Sequence, residues 1–141
     1  MSKYKHILVP TDFSDHSKRA VKKALGLGKL FDARISVVHV VDYLPPAYIS
    51  AQSEYTSAPQ IIERATAYLA EWSNEVGLKD AEQLVRTGTS GREIIAAAKA
   101  NGVDLIAIGT SGEGGIKRLL GSTTSAVMHH APCDVLSVHC D

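Results

Sequence analysis

Short apolar runs alternate along this chain with longer stretches in which apolar residues recur every three or four positions. "KHILVP" (Lys5–Pro10) reads as a compact strand closed by Pro10. "DHSKRAVKKALGLGKLF" places Ala20, Val21, Ala24, Leu25 and Gly28 at helical spacing, with Ser14 or Asp15 at the N-cap. "ARISVVHVVD" is almost continuously apolar, which predicts a strand covered on both faces, as in a parallel sheet. "IIERATAYLAEWSNEVG" aligns Ile61, Ile62, Ala65, Leu69, Trp72 and Val76 on one helical stripe, and Gly77 suits its C-terminal cap. "AEQLVRTG" is a shorter, more polar strand. "SGREIIAAAKANG" predicts a helix capped by Ser90, with Glu93 completing a capping box and Gly102 ending it. "VDLIAIG" is a fourth buried strand, "STTSAVMHHA" a short helix stopped near Pro132, and "CDVLSVHC" a last strand.

The order is βαβ, a long connection, then αβαβαβ. Strands alternating with helices predict right-handed crossovers and a parallel sheet. The expected fold is therefore α/β, a five-stranded parallel doubly wound sheet. It is Rossmann-like, with strand order 3-2-1-4-5 and helices on both faces, in a single domain spanning residues 1–141. The connection Asp42–Gln60 holds Pro45, Pro46 and Pro59 and has no clear period. A connection of that length is often functional, and closure over a site as a lid is one use for it.

Composition narrows the classes of partner. Lys plus Arg equals Asp plus Glu at 15 each, so charge gives no argument for nucleic acid or an anionic membrane. No apolar run approaches the ~18 residues that a membrane span needs, and "MSKYKHILVP" is too short in apolar residues for a signal peptide, so a cytoplasmic location is expected. Cys133 and Cys140 lack C-x-x-C spacing and would fall on opposite faces of one strand, which predicts two reduced thiols and no zinc site.

Candidate chemistry gathers at one edge. In open α/β sheets, ligands bind beyond the carboxyl ends of the strands, where strand order reverses. "VPTDFS" brings Asp12 to that edge, the second strand ends near Val40–Asp42, and the fourth ends at Gly109. There begins "GTSGEGGIKRLLGSTTSA", with Gly109, Gly112, Gly114, Gly115 and Gly121, then Ser122, Thr123, Thr124 and Ser125. A strand, a glycine loop, a helix start after Gly121 and a row of hydroxyls together describe a phosphate site. A strand-to-helix loop with a serine cap fits the same residues. Neither a P-loop nor the G-x-G-x-x-G dinucleotide fingerprint is present.

Three segments together are more specific. "YKHILVPTDFSDHSKRAVKKA", "ISVVHVVD" and "DLIAIGTSGEGGIKRLLGSTTSAVMHHAPCDVLSV" resemble the universal stress protein family along nearly the whole chain. The resemblance implies ATP as ligand, with or without Mg2+, because one branch of the family carries G-x2-G-x9-G-[S/T]. Gly109, Gly112 and Gly121-Ser122 match it, with eight residues where the pattern has nine. It implies that Asp12 bonds ribose or adenine, with Pro10 and Thr11 on the same wall. Val40 would offer its backbone to adenine beside Ile108. Gly109, Ser111 and Gly112 would line the ribose and phosphate path, and Gly121, Ser122, Thr123 and Thr124 would hold phosphates. It also implies a homodimer, which the last strand (Asp134–His139) suggests independently: it holds no proline or lysine to protect a sheet edge.

Plainer readings stand beside these. Asp12 also suits a helix cap, and Lys117 and Arg118 suit either phosphate contact or solvation. Glu113 reads as a solvated loop acid. His39 reads as a packed core histidine. His129 and His130 end a helix and do not share a face, so no metal is expected there. Asp104 falls on the opposite edge and reads as structural. No nucleophile–base pair is visible, so no catalytic residue is assigned. The expected function is a nucleotide-dependent regulator of stress survival, hydrolysing ATP slowly at most. The rivals are a dimeric interaction module that binds no nucleotide and a nucleotidyl or phosphoryl transferase.

Overall fold

The computed structural model describes residues 3–42, 58–111 and 117–140. Its elements are β1 (His6–Pro10), α1 (Asp15–Phe31), β2 (Arg34–Asp42), α2 (Ala58–Glu75), β3 (Glu82–Gly88), α3 (Ser90–Ala100), β4 (Leu105–Ser111), α4 (Lys117–His130) and β5 (Asp134–Cys140). The five strands form one all-parallel sheet in the order β3-β2-β1-β4-β5, as the alternation of elements predicts.

Successive residues of each strand feed opposite layers, because strand side chains alternate. Ile7, Val9, Val37, Leu105 and Ala107 pack with Ala20, Val21 and Ala24 of α1 and Leu69 and Trp72 of α2. Leu8, Val38, Ile106 and Ile108 pack on the other face with Ile94, Ala97 and Ala98 of α3 and Val127 of α4. Ile7, Leu8 and Val9 are wholly buried. Burying each such side chain contributes about 1.5–3 kcal/mol, which explains why β1 at the sheet centre has no polar alternation. The crossovers change face between β3 and β4, so the chain reverses direction across the sheet between β1 and β4.

Helix ends follow local chemistry. The Ser14 side chain caps α1, accepting from the Ser17 N–H. Gly77 lies at φ +90 and Gly102 at φ +64, and each is followed by the six-to-one hydrogen bond of a glycine-terminated helix, Leu78 N to Ser73 O and Val103 N to Ala98 O. The capping box is corrected: Thr89, not Ser90, is the N-cap of α3, and it makes no side-chain cap bond. The Glu93 carboxylate turns instead to Arg86, whose Nε donates to it at 2.9 Å. A second correction concerns α4, which starts at Lys117 rather than after Gly121. Leu and Arg have good helix propensity, so "KRLL" joins the helix and carries Gly121 inside it.

The amino edge of the sheet is closed by Asp104, which accepts from Lys5 N at 2.9 Å and His6 N at 3.0 Å. The structural reading of Asp104 holds. His6, buried beside it, donates through Nδ1 to the Asn101 carbonyl at 3.0 Å, which leaves Nε2 to accept from the Ser36 hydroxyl at 2.6 Å. Cys133 is a half-buried free thiol just before β5. Of the connection Asp42–Gln60, for which a lid is one use, residues 43–57 lie outside the described residues, as do Gly112 and Glu113.

Candidate functional site

The reversal between β1 and β4 opens a cleft of about 170 Å3 at the carboxyl edge. β1 and the turn after it supply Pro10, Thr11 and Asp12. β2 supplies Val38, His39 and Val40, and β4 supplies Ile108 and Gly109. Thr123 and Thr124 reach it from α4. Sequence-predicted residues from four separate segments are thus brought to one place. Ser111 ends β4, and Gly121 and Ser122 lie within α4, away from its first turn. The backbone N–H groups left unpaired at that helix start therefore belong to Lys117–Leu120, not to the hydroxyl row.

Asp12 is held by the turn that follows it. Its Oδ1 accepts from the Ser14 N–H at 3.0 Å, from the Ser17 hydroxyl at 2.9 Å and from the Ser14 hydroxyl. Partial desolvation by the cleft walls opposes ionisation, but the hydrogen bonds from Ser14 and Ser17 outweigh it and hold the carboxyl below its usual range. Asp12 is therefore a fixed anion at neutral pH. Such a group accepts from hydroxyls or amines and repels phosphate.

The turn takes an uncommon route to do this. Phe13 sits at φ +66, in the left-handed region that costs a non-glycine residue about 1 kcal/mol or more. Its ring is held by packing: centroids lie 4.3 Å from His39, 4.6 Å from Tyr68 and 5.7 Å from Trp72. Phe13 N–H donates to Thr11 Oγ1 at 2.9 Å, which closes the turn from the other side. Aromatic contacts of this kind contribute about 0.5–1.5 kcal/mol each, enough to offset the strain.

Gly109 answers a steric demand from within the chain. A Cβ built there would lie 2.1 Å from the His16 carbonyl oxygen and 2.5 Å from its carbonyl carbon. β4 therefore meets the backbone of the first turn of α1, and only a residue without a side chain fits.

Several residues at the site carry no signal that sequence reasoning had used. His39 is half-buried and lines the cleft, rather than packing only in the core. Its Nδ1 donates to the Thr11 carbonyl at 2.8 Å. Its place one residue before Val40 at a strand's carboxyl end was the available clue. Ser17 and His16 come from the first turn of α1, and Ser90 and Ile94 from α3. Their arrival depends on helix packing, which no local pattern encodes. Among the described residues, no group of His, Cys, Asp and Glu has the arrangement of a metal site, and no helix is long and apolar enough to cross a membrane.

Comparison with known proteins adds to this geometry. The pattern of the universal stress protein family matches residues 3–139. A curated relative, universal stress protein A homolog 2 of Coxiella burnetii, is 36% identical over 141 residues, covering 98% of this chain and 97% of its own. Among solved structures, the universal stress protein UspA from Lactobacillus plantarum superposes with a TM-score of 0.75 at 27% identity, covering 98% of this chain and 99% of its own. A universal stress protein solved in complex with cAMP superposes with a TM-score of 0.62 at 25% identity, covering 98% of each chain.

Proposed function

This chain belongs to the universal stress protein family, and from that premise we propose that its cleft binds an adenine nucleotide, with ATP as the ligand. The observation that carries the reading is the convergence of Asp12, Val40, Ile108 and Thr124 at the reversal between β1 and β4. The related structure that holds cAMP supports an adenine nucleotide in this fold.

The residues present fit such a ligand in two zones. Val38, Val40, Ile94 and Ile108 offer an apolar slot for a purine, with the Val40 backbone as the group that would bond the base edge. Asp12, already ionised, accepts from the ribose hydroxyls. The cleft is smaller than the roughly 300 Å3 at which small-molecule sites begin, so it takes base and sugar while phosphates extend beyond it. Their path runs from Gly109 and Ser111 toward the start of α4, with Gly121, Ser122, Thr123 and Thr124 as the further phosphate contacts; Gly112, the other residue assigned to this path, lies outside the described residues. Pro10 and Thr11 form the wall opposite. Mg2+ would sit on the phosphates, offsetting their charge near Asp12.

The protein acts as a cytoplasmic, nucleotide-dependent regulator of stress survival. It is a homodimer through Asp134–His139, and it hydrolyses ATP slowly at most. Among the described residues of the cleft, the Ser14 and Ser17 hydroxyls both donate to Asp12, whose carboxyl is held below its usual pKa range and is therefore a weak base, so neither hydroxyl is strongly activated. β5 is an edge strand paired only with β4 in the sheet order, which supports strand-to-strand pairing of two copies. One observation favours the rival module that binds no nucleotide: packing against His16 accounts for Gly109 by itself.

Titration calorimetry with Mg-ATP, AMP and Mg-GTP separates these readings. The expected result is saturable binding of the adenine nucleotides and a rise in melting temperature corresponding to about 2.7 kcal/mol at a hundredfold excess over Kd. Absence of both heat and thermal shift would sink the nucleotide reading. Mass spectrometry of the protein purified without added nucleotide tells which ligand it carries.

A further inference from the structure

The cleft carries the fixed anion of Asp12, and no Lys or Arg stands among its described lining residues. A phosphate that follows a ribose held by Asp12 therefore meets repulsion, and a donor within the cleft has to offset it. The Ser14 and Ser17 hydroxyls are committed to Asp12. Two imidazoles remain in the described lining, His16 and His39. His39 is committed as well: its Nδ1 donates to the Thr11 carbonyl, and its ring packs on Phe13 at 4.3 Å. Its neighbours Val38 and Val40 pack with Ile94 and Ile108, so strand alternation turns His39 to the other face of the sheet.

His16 differs. It is half-buried in the first turn of α1 and lines the cleft. Its ring Nδ1 is sealed from solvent and, among the described residues, bonds to nothing. Buried polar atoms are nearly always paired, and one left unpaired costs the hydration it has lost. The contact of this residue with β4 does not call for an imidazole, because it is the His16 backbone carbonyl that lies against Gly109. That contact does fix where the ring stands. Gly109 is the residue of β4 at which the phosphate path begins, and Ser17, next in the chain to His16, holds Asp12. The ring is thus carried between the anion that meets the sugar and the head of the phosphate path. Rotation about Cβ–Cγ is soft in an imidazole, and a half-turn puts a C–H in the sealed position and releases Nδ1.

We propose that His16 reads the first phosphate of the bound nucleotide, an imidazole N–H donating to a phosphate oxygen, so that the cleft selects a nucleotide over its nucleoside. The proposal rests on the adenine-nucleotide reading and names, within it, the group that distinguishes AMP from adenosine. The two ligands share base and sugar, so a contact made only with phosphate appears in the difference between their affinities. Without ligand the ring holds an unpaired polar atom; with it the ring gains a charge-assisted hydrogen bond. Stability and affinity therefore pull in opposite directions at this position.

The test titrates AMP and adenosine into the full chain by calorimetry and follows the melting temperature of the ligand-free protein. The unmodified protein should prefer AMP by about tenfold or more, as a hydrogen bond to a charged group requires. His16→Leu should lose that preference, keep its affinity for adenosine, and melt no lower than the unmodified protein, since an apolar side chain leaves no polar atom unpaired. His16→Gln, whose amide still donates, should retain part of the preference. Nitrogen-15 spectra of the imidazoles should show the His16 ring moving with AMP and not with adenosine. The proposal is overturned if His16→Leu keeps the AMP preference, or if the ring signals respond equally to both ligands. Equal loss of AMP and adenosine, or a large fall in melting temperature, would overturn it in favour of a structural role. If neither ligand binds the unmodified protein, the adenine-nucleotide reading itself fails and this assignment falls with it.

Discussion

Replacing Gly109 with alanine isolates the steric role of the residue that begins the glycine-rich loop. The new Cβ would overlap the His16 carbonyl, at 2.1 Å from its oxygen, and approach Ser17 N at 3.1 Å. These are backbone atoms, so no side chain can rotate away. α1 must lift from β4, and its first turn carries the Ser14 and Ser17 groups that hold Asp12. Overpacking in a close-packed interior costs typically 1–3 kcal/mol, and a backbone collision belongs at the upper end. For a domain of this size, about 3 kcal/mol lowers the melting temperature by roughly 10 °C. Gly26→Ala is the matched control: the same added methyl meets open space, and helix propensity should raise stability by about 0.8–1 kcal/mol. Thermal denaturation followed by circular dichroism, without nucleotide, reads both. Opposite signs are expected. If Gly109→Ala melts within about 2 °C of the unmodified protein, the packing argument fails, and the glycine would have to be explained by a ligand.

Three groups with perturbed environments give further outcomes. Asp12→Asn should weaken adenine-nucleotide binding at least tenfold by calorimetry, since a neutral amide no longer offers a fixed anion to ribose hydroxyls. Because the folded-state pKa of Asp12 is depressed, its contribution is present above the unfolded value near 4 and is lost as pH falls through the folded value. The acid limb of a stability–pH curve should therefore flatten in Asp12→Asn. For His6 the sign is the reverse of a salt-bridged histidine: burial, partly offset by the Asn101 carbonyl, lowers its pKa, so the unfolded chain takes up the proton first. Stability should begin to fall below about pH 6.5 and level off below the folded value, and His6→Gln should remove that step from urea titrations. The Cys133 thiol is pushed up by burial and then by the charges of Asp134 and Asp104. It should react with a disulfide reagent at pH 7 more slowly than a free peptide thiol, and a rate equal to the peptide's would refute that.

The alternation of apolar runs and amphipathic stretches was enough for the fold class, because strand and helix periods differ and the inner strands β1, β2 and β4 are nearly continuous apolar runs. Strand order was legible only in part: the apolar "HILVP" keeps β1 off the edges, whereas 3-2-1-4-5 was the order expected of a Rossmann-like sheet, which other orders with β1 inside would also have allowed. Boundaries were less legible where local preferences compete. Ser90 and Glu93 match a capping box, yet Arg86 across the strand end offers the Glu93 carboxylate a full charge, and Thr89 takes the N-cap position instead. In α4, "KRLL" reads as loop beside its glycines, but its helix propensity extends the helix to Lys117.

Sequence by itself determined which residues reach the carboxyl edge, because strand ends and the turns after them are set by local pattern. Asp12, Val40 and Gly109 could be named on that ground alone, and Ile108 only through the family resemblance. Only tertiary structure decided what those residues do to one another. The ionised state of Asp12 depends on hydroxyls from the first turn of α1, and the strained Phe13 depends on rings from β2 and α2. His39 joined the cleft because the Thr11 carbonyl lies within its reach. Gly109 and Gly26 look alike in the sequence, yet one abuts a helix backbone and the other faces open space. Glycine records that backbone must come close to something; the position of every other element decides whether that is the protein's own chain or another.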